Sequence, residues 1–215
     1  MPEAELTEEQ VAAGYDRVAD EMYVQKSAYT DTLKLAPDCG EAMLDVGCGQ
    51  GRLLEFLARR CTAITRLAGC DLSPRLCEMA ARRVPTAEIR RESAVGLEAY
   101  DEGEFDFLFM VSTLEHLLDR ESAVRSAYRV LKPGGVFVVA TTNRNWALYE
   151  RWRRHHVQVE PVDSHWFEPD ELLDLLTSAG FQIERVRGVW ARVRAISLRP
   201  APAPPARRSA RSAPP

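Results

Sequence analysis

The 215-residue chain has no apolar run approaching the ~20 residues that a membrane-spanning helix needs, so no membrane span is expected. The acidic start, Met1 to Gln10, has no apolar h-region and is not a secretory signal. A cytoplasmic location is therefore expected. Cysteine is sparse and odd in number, five in all. Cys39, Cys48, Cys61, Cys70 and Cys77 form no Cys-x-x-Cys pair and are expected to be reduced, mostly buried thiols. Basic charge is in deficit, with 28 Lys and Arg against 32 Asp and Glu. Setting aside four arginines in the tail from Arg199, the body carries 24 basic residues against 32 acidic ones. So acidic a body argues against nucleic acid as substrate. No internal repeat is visible. What remains, 46% hydrophobic and 28% charged, is material for one α/β domain with short extensions.

The organising stretch is Met43-Leu44-Asp45-Val46-Gly47-Cys48-Gly49-Gln50-Gly51-Arg52-Leu53-Leu54. A short apolar run reads as a buried parallel strand. Three glycines at alternate positions follow, then the helical stripe Leu53, Leu54, Leu57 and Ala58. Glycine permits positive φ and close approach of a ligand. Free N–H groups at such a helix start are expected to attract an electron-rich ligand group. Asp71 ends the next apolar segment, about where a doubly wound fold places a ribose-binding carboxylate.

The third glycine comes one residue too early for the dinucleotide pattern GxGxxG. Asp45 also places a carboxylate just before the turn, unfavourable to a pyrophosphate and favourable to an ammonium group. S-adenosylmethionine has an ammonium, a sulfonium and a ribose but no phosphate. With Cys70-Asp71-Leu72-Ser73-Pro74, Phe105-Asp106, Leu114-Glu115-His116-Leu117-Leu118-Asp119 and Arg129-Val130-Leu131-Lys132-Pro133-Gly134-Gly135, the chain resembles the class I S-adenosylmethionine-dependent methyltransferases. The resemblance runs from about Tyr15 to Leu198 and is to the type 11 small-molecule group, which includes ubiquinone-pathway O-methyltransferases. It implies a doubly wound, seven-stranded, mostly parallel sheet with the last strand antiparallel and helices on both faces. It also implies S-adenosylmethionine as cofactor and a small-molecule acceptor.

Periodicity predicts helices over about 8–26, 51–60, 74–84, 120–130 and from Pro169 to Gly180. Strands are expected at 42–46, 66–71, 86–91, 105–111 and 136–141, and a hairpin at 181–189 and 191–198. Residues 1–30 read as an N-terminal lid helix and 31–199 as the methyltransferase domain. Residues 143–167 interrupt the alternation with three tryptophans, a tyrosine and three histidines. They read as an acceptor lid. Residues 200–215, rich in proline, alanine and arginine, are expected to be disordered.

Cofactor residues follow from the turn and the resemblance. Asp71 should accept hydrogen bonds from both ribose hydroxyls, with no protein partner expected for it. Asp45 should face the methionyl ammonium. Gly47, Cys48 and Gly49 give the backbone room, Leu72 packs on adenine, and Ala94 and Val111 line the site. Ser93 stands where the family often has an adenine-binding aspartate. Tyr15 either caps the cofactor or is a core ring. Arg52 either reaches the methionyl carboxylate or is solvated. His116, on the rim after the fourth strand, is either a base or acceptor contact, or a residue that orders its loop. His165 stands where related enzymes carry a substrate-facing histidine before the last helix, and is either a catalytic acceptor contact or a lid residue packed on its neighbours. Trp146, Tyr149, His165 and Trp166 are the expected acceptor wall. Ser112 replaces the second glutamate of relatives that hold a divalent metal, so no metal is expected. N- or C-methylation, cofactor binding without catalysis, and a nicotinamide dehydrogenase are the alternatives.

Overall fold

In a computed structural model, the described residues are 6–21, 29, 32–35, 40–142, 164–189 and 193–200, with backbone alone for 142, 188–189 and 193–200. The elements are α1 (Glu8–Val18), β1 (Ala42–Val46), α2 (Arg52–Arg60), β2 (Arg66–Asp71), α3 (Pro74–Arg83), β3 (Glu88–Arg91), β4 (Phe105–Val111), a 3-10 turn (Leu114–His116), α4 (Arg120–Val130), β5 (Leu131–Thr142), α5 (Pro169–Ser178), β6 (Phe181–Val189) and β7 (Val193–Pro200).

Five parallel strands run in the order β3-β2-β1-β4-β5, the arrangement of a Rossmann-like α/β fold. On the β5 edge the backbone of β7 pairs antiparallel with β5 and with β6. The order reverses between β1 and β4, which start on opposite sides of the first crossover. That is the switch point where open α/β sheets bind ligands. All five residues of β1 are buried. Its Leu44 and Val46 face the layer that contains Val124, Ala127 and Leu172, while Met43 faces Leu53, Leu54, Leu57 and Ala80. Thus α4 and α5 cover one face, α2 and α3 the other.

The elements start and stop for local reasons. Thr7 caps α1 reciprocally with Gln10, and Ser73 caps α3 ahead of Pro74. Asp119 caps α4 through the Ser122 N–H at 2.9 Å. Several boundaries differ from expectation; β3, for one, starts at Glu88 rather than at 86. α1 ends at Val18 rather than near Lys26, and residues 22–28 lie outside the described set. Pairing of β5 begins at Leu131 opposite Phe105, with an irregularity before Phe107 pairs with Val136. The Lys132 ammonium holds that bulge to the Asp106 carboxylate at 2.9 Å. The second hairpin strand is described over Val193–Pro200, and residues 190–192 lie outside the described set.

The cysteine expectation needs one correction. Cys48, Cys70 and Cys77 are free thiols, but Cys61 is in a disulfide whose partner lies outside the described residues. Segment 143–163 of the expected lid, with Trp146 and Tyr149, and the tail 201–215 also lie outside them. Among the described residues no helix is long and apolar enough to cross a membrane.

Candidate active site

The carboxyl ends of β1, β2, β3 and β4 form one rim. At β1 the backbone turns sharply, with φ of 71° at Gly47, 52° at Gly49 and 74° at Gly51. Two of these glycines are required by packing. A Cβ on Gly47 would meet Thr113 Oγ1 at 2.5 Å, and one on Gly51 would meet the Ala80 Cα at 2.9 Å. At Gly49 a Cβ would meet nothing within 4 Å. Thr113, from the segment after β4, donates to the Val46 carbonyl at 3.1 Å and so ties the two rims together.

The N–H groups of the turn are not free, contrary to expectation. Gly47 and Cys48 both donate to the Cys70 carbonyl, at 2.8 and 2.9 Å, and Gly51 donates to the Cys48 carbonyl at 2.9 Å. Gly49 donates to Asp71 Oδ2 at 2.9 Å. A turn whose donors are already satisfied is a poor phosphate cradle, which removes the physical basis for a dinucleotide.

Asp71 therefore has partners. Its Oδ1 accepts from the Ser73 N–H at 3.0 Å. Each carboxylate oxygen takes one backbone donor and keeps lone pairs for ligand hydroxyls. Burial raises the Asp71 pKa, and the Ser73 and Gly49 N–H groups oppose that rise. Asp45 is more extreme. It is 3% exposed, and its carboxylate has no hydrogen-bond partner among the described residues. Burial first, then the Asp71 charge, pushes its pKa well above the carboxylate range. A buried carboxylate beside a second one calls for a cationic ligand.

Helix α1 lies across this rim. Glu8 accepts from Ser93 Oγ at 2.6 Å. Asp16 accepts from Ser73 Oγ and from the Arg75 N–H. The Ala19 carbonyl beyond its end accepts from Gln50 Nε2 at 2.5 Å. Tyr15 packs edge-on against His116, ring centroids 5.7 Å apart. One helix thus touches the segments after all four strands. The Tyr15 hydroxyl is buried without a partner. Burial, then Glu115, then Asp71 raise its pKa, which sets it in the fields of both carboxylates.

After β4, His116 Nδ1 lies 3.0 Å from Ser164 Oγ. Burial, then the Arg120 charge, lowers the His116 pKa to about 4. The imidazole is thus neutral at pH 7. Glu115, 2% exposed, accepts from Thr141 Oγ1 at 2.9 Å. Its carbonyl accepts from the His165 N–H at 2.7 Å.

The expected site residues divide. Asp45, Gly47, Gly49, Asp71, Tyr15 and His116 come together on the rim. His165 has partners of its own. Its Nε2 lies 2.6 Å from Glu171 Oε1, and its ring packs edge-on on Phe167 at 4.7 Å. That pairing anchors the start of α5, where Glu171 already serves the cap. Arg52 donates to Gln50 Oε1 at 2.9 Å. Ser93 is engaged by Glu8 and by the Val95 N–H. The side chains of Cys48, Ala94 and Val111 are core, so any contact from them is through backbone. Leu72 and Trp166 are half-buried. Gln50, Asp16, Thr113, Glu115, Arg120 and Ser164 were missed. Of these, only Glu115 lay inside a sequence motif as a titratable group beside His116.

S-adenosylmethionine fits these residues: a carboxylate pair for its ribose and ammonium, a satisfied turn with no phosphate site, and open space at Gly49. Comparison with known proteins points the same way. A family model described as a methyltransferase domain matches residues 44–139. A ubiquinone biosynthesis O-methyltransferase of Xanthomonas euvesicatoria is 33% identical over 163 residues, 70% of this chain and 66% of that protein. The chain thus spans 66% of the length of that relative. A probable S-adenosylmethionine-dependent methyltransferase of Mycolicibacterium smegmatis is 30% identical over 186 residues, 86% of this chain and 68% of that protein. Among solved structures, a possible histamine N-methyltransferase from Thermotoga maritima shares the fold with TM-score 0.68 and 23% identity, covering 87% of this chain and 99% of that one. The [4+2]-cyclase SpnF shares it with TM-score 0.75 and 20% identity, covering 91% and 97%. The sheet, the methyltransferase family model and the 30% identity to a mycobacterial relative covered over 68% of its length agree, and this chain belongs to the S-adenosylmethionine-dependent methyltransferases.

Proposed function

We propose that the protein methylates an oxygen of a small-molecule acceptor, with His116 as the residue that takes the acceptor's proton. The observation that carries this reading is a neutral, enclosed imidazole on the β4 rim, against Tyr15 and beside Ser164. S-adenosylmethionine supplies an electrophilic methyl on a sulfonium leaving group. The chain has to align, dry the site and manage one proton. Asp71 orients the ribose through lone pairs left beside its two backbone bonds. Asp45 holds the ammonium, and that positive charge returns its pKa toward the ordinary range. Tyr15, carried by α1, closes the rim over both and excludes water. With Nδ1–H donating to Ser164 Oγ, His116 Nε2 presents its lone pair to the acceptor. Residues 143–167, including Trp146, Tyr149, His165 and Trp166, form the acceptor wall in this reading. The ubiquinone biosynthesis relative supports oxygen as the acceptor atom.

A second reading, methylation of a neutral amine, draws on the same histidine. An imidazole with a pKa of about 4 is a weak base, and an unprotonated amine needs no base before attack. The two separate in the His116→Gln variant assayed with labelled cofactor and a panel of phenols, alcohols and amines. Oxygen transfer predicts turnover of a phenol or alcohol that falls at least a hundredfold in the variant while cofactor affinity is unchanged. Turnover confined to amines, or unaltered by the substitution, overturns the base assignment.

A further inference from the structure

Arg120 is the first residue of α4, directly after the Asp119 cap. A cation in the first turn works against the helix dipole. Its Nε is buried with no hydrogen-bond partner. Although Glu121, Glu171 and Glu115 lie near enough to act on its charge, the guanidinium makes no ion pair or hydrogen bond among the described residues. Burial lowers its pKa, and the Glu121, Glu171 and Glu115 charges offset only part of that without bonding the guanidinium. It lies close enough to His116 for its charge to depress that imidazole. Each feature is unfavourable for stability, and together they place an unsatisfied planar donor set beside the proposed acceptor base.

We propose that Arg120 is a specificity residue that binds a carboxylate on the methyl acceptor, so that the acceptor class is a hydroxylated small-molecule carboxylate. The inference rests on the reading of the β4 rim as the acceptor side. Nε–H and a neighbouring Nη–H form a two-toothed edge that matches a carboxylate, and the buried Nε gains the hydrogen bond it lacks. Binding also offsets the Arg120 charge, which adds to the larger effect of burial in lowering the His116 pKa. A charged acceptor therefore leaves the imidazole a stronger base than an uncharged one does. A carboxylate would thus both anchor the acceptor and prepare its deprotonation. An uncharged analogue would do neither.

The test uses 4-hydroxybenzoate and 4-hydroxybenzamide, which share ring, hydroxyl and shape but differ in charge. Each is titrated by calorimetry into the full-length protein saturated with S-adenosylhomocysteine. Wild type should bind the benzoate roughly ten to a hundred times more tightly than the amide, the range for a desolvated charge-assisted pair. Arg120→Gln should erase that preference, Arg120→Lys should keep part of it, and neither should change S-adenosylhomocysteine affinity. Equal binding of the two probes, failure of both to bind, or a preference that survives Arg120→Gln overturns the proposal. Loss of S-adenosylhomocysteine binding by wild type would instead overturn the cofactor site. Melting curves of both variants show that folding is not the cause of any loss.

Discussion

Gly47 and Gly49 stand two residues apart in the same turn, both with positive φ, yet alanine should harm them in different ways. At either position an L side chain in the left-handed region costs about 1–2 kcal/mol. At Gly47 the added Cβ also lands 2.5 Å from Thr113 Oγ1. Thr113 cannot easily give way, because it is buried and its hydroxyl is bonded to the Val46 carbonyl. Overpacking of that kind adds about 1–3 kcal/mol. Gly47→Ala should therefore cost about 2–5 kcal/mol, or roughly 5–15 °C in melting temperature for a domain of this size. At Gly49 no atom lies within 4 Å of the added Cβ, so only the backbone cost applies. That methyl, however, would occupy the open space at the turn, where the cofactor is placed in this reading. Gly49→Ala should lower cofactor affinity at least about tenfold, near 1.4 kcal/mol. Urea unfolding measures the first effect and calorimetry the second. A double-mutant cycle pairing Gly47→Ala with Thr113→Ala should show coupling of about 1 kcal/mol or more, since truncating Thr113 removes the clash. Equal destabilisation at the two glycines, or unaltered cofactor affinity in Gly49→Ala, would refute this account of the turn.

Other outcomes follow from the same geometry. Because His116 titrates near 4 folded and about 6.5 unfolded, the unfolded chain binds more protons between those values. Its contribution to stability is complete above about pH 6.5 and is lost as pH falls toward 4; His116→Gln should flatten that part of the pH–stability curve. Arg120→Gln should raise the His116 pKa, followed by the imidazole proton resonances, because Arg120 is the charge that lowers it after burial; an unmoved pKa would remove the coupling between them. Asp16→Ala should free the last turn of α1 by removing the bonds from Ser73 Oγ and the Arg75 N–H. Amide exchange in residues 8–18 should speed several-fold while β1 and β4 keep their protection, and uniform acceleration would contradict a separately docked helix.

Local chemistry made the strands legible. The unbroken apolar run of β4 is what a strand covered on both faces requires, and Ser73-Pro74 announces a helix start by capping alone. Asp45 and Asp71 were legible because each ends or precedes a strand end, where side-chain direction follows from backbone geometry. The state of the turn's donors was not legible. Whether Gly47 and Cys48 offer their N–H groups depends on where the Cys70 carbonyl of another strand falls. Asp71 looked unpartnered because its donors are backbone groups, which carry no residue signature. The pairing of His165 with Glu171 was not legible either, although only six residues separate them, because it depends on the turn into α5. Arg120 had a signal that was not used: a basic residue directly after a cap, against the dipole of its own helix.

The central claim is that Asp71 holds the ribose and Asp45 the amino-acid ammonium. Calorimetric titration of wild type, Asp45→Asn and Asp71→Asn with S-adenosylhomocysteine and with 5′-methylthioadenosine, which has the ribose but lacks the amino acid, tests it directly. Asp71→Asn should weaken both ligands roughly a hundredfold, about 3 kcal/mol for two hydrogen bonds to a charged group. Asp45→Asn should weaken S-adenosylhomocysteine to a similar degree and leave 5′-methylthioadenosine within about twofold of wild type. Parallel losses for both ligands in Asp45→Asn, or wild-type affinity for either ligand in Asp71→Asn, would contradict the account.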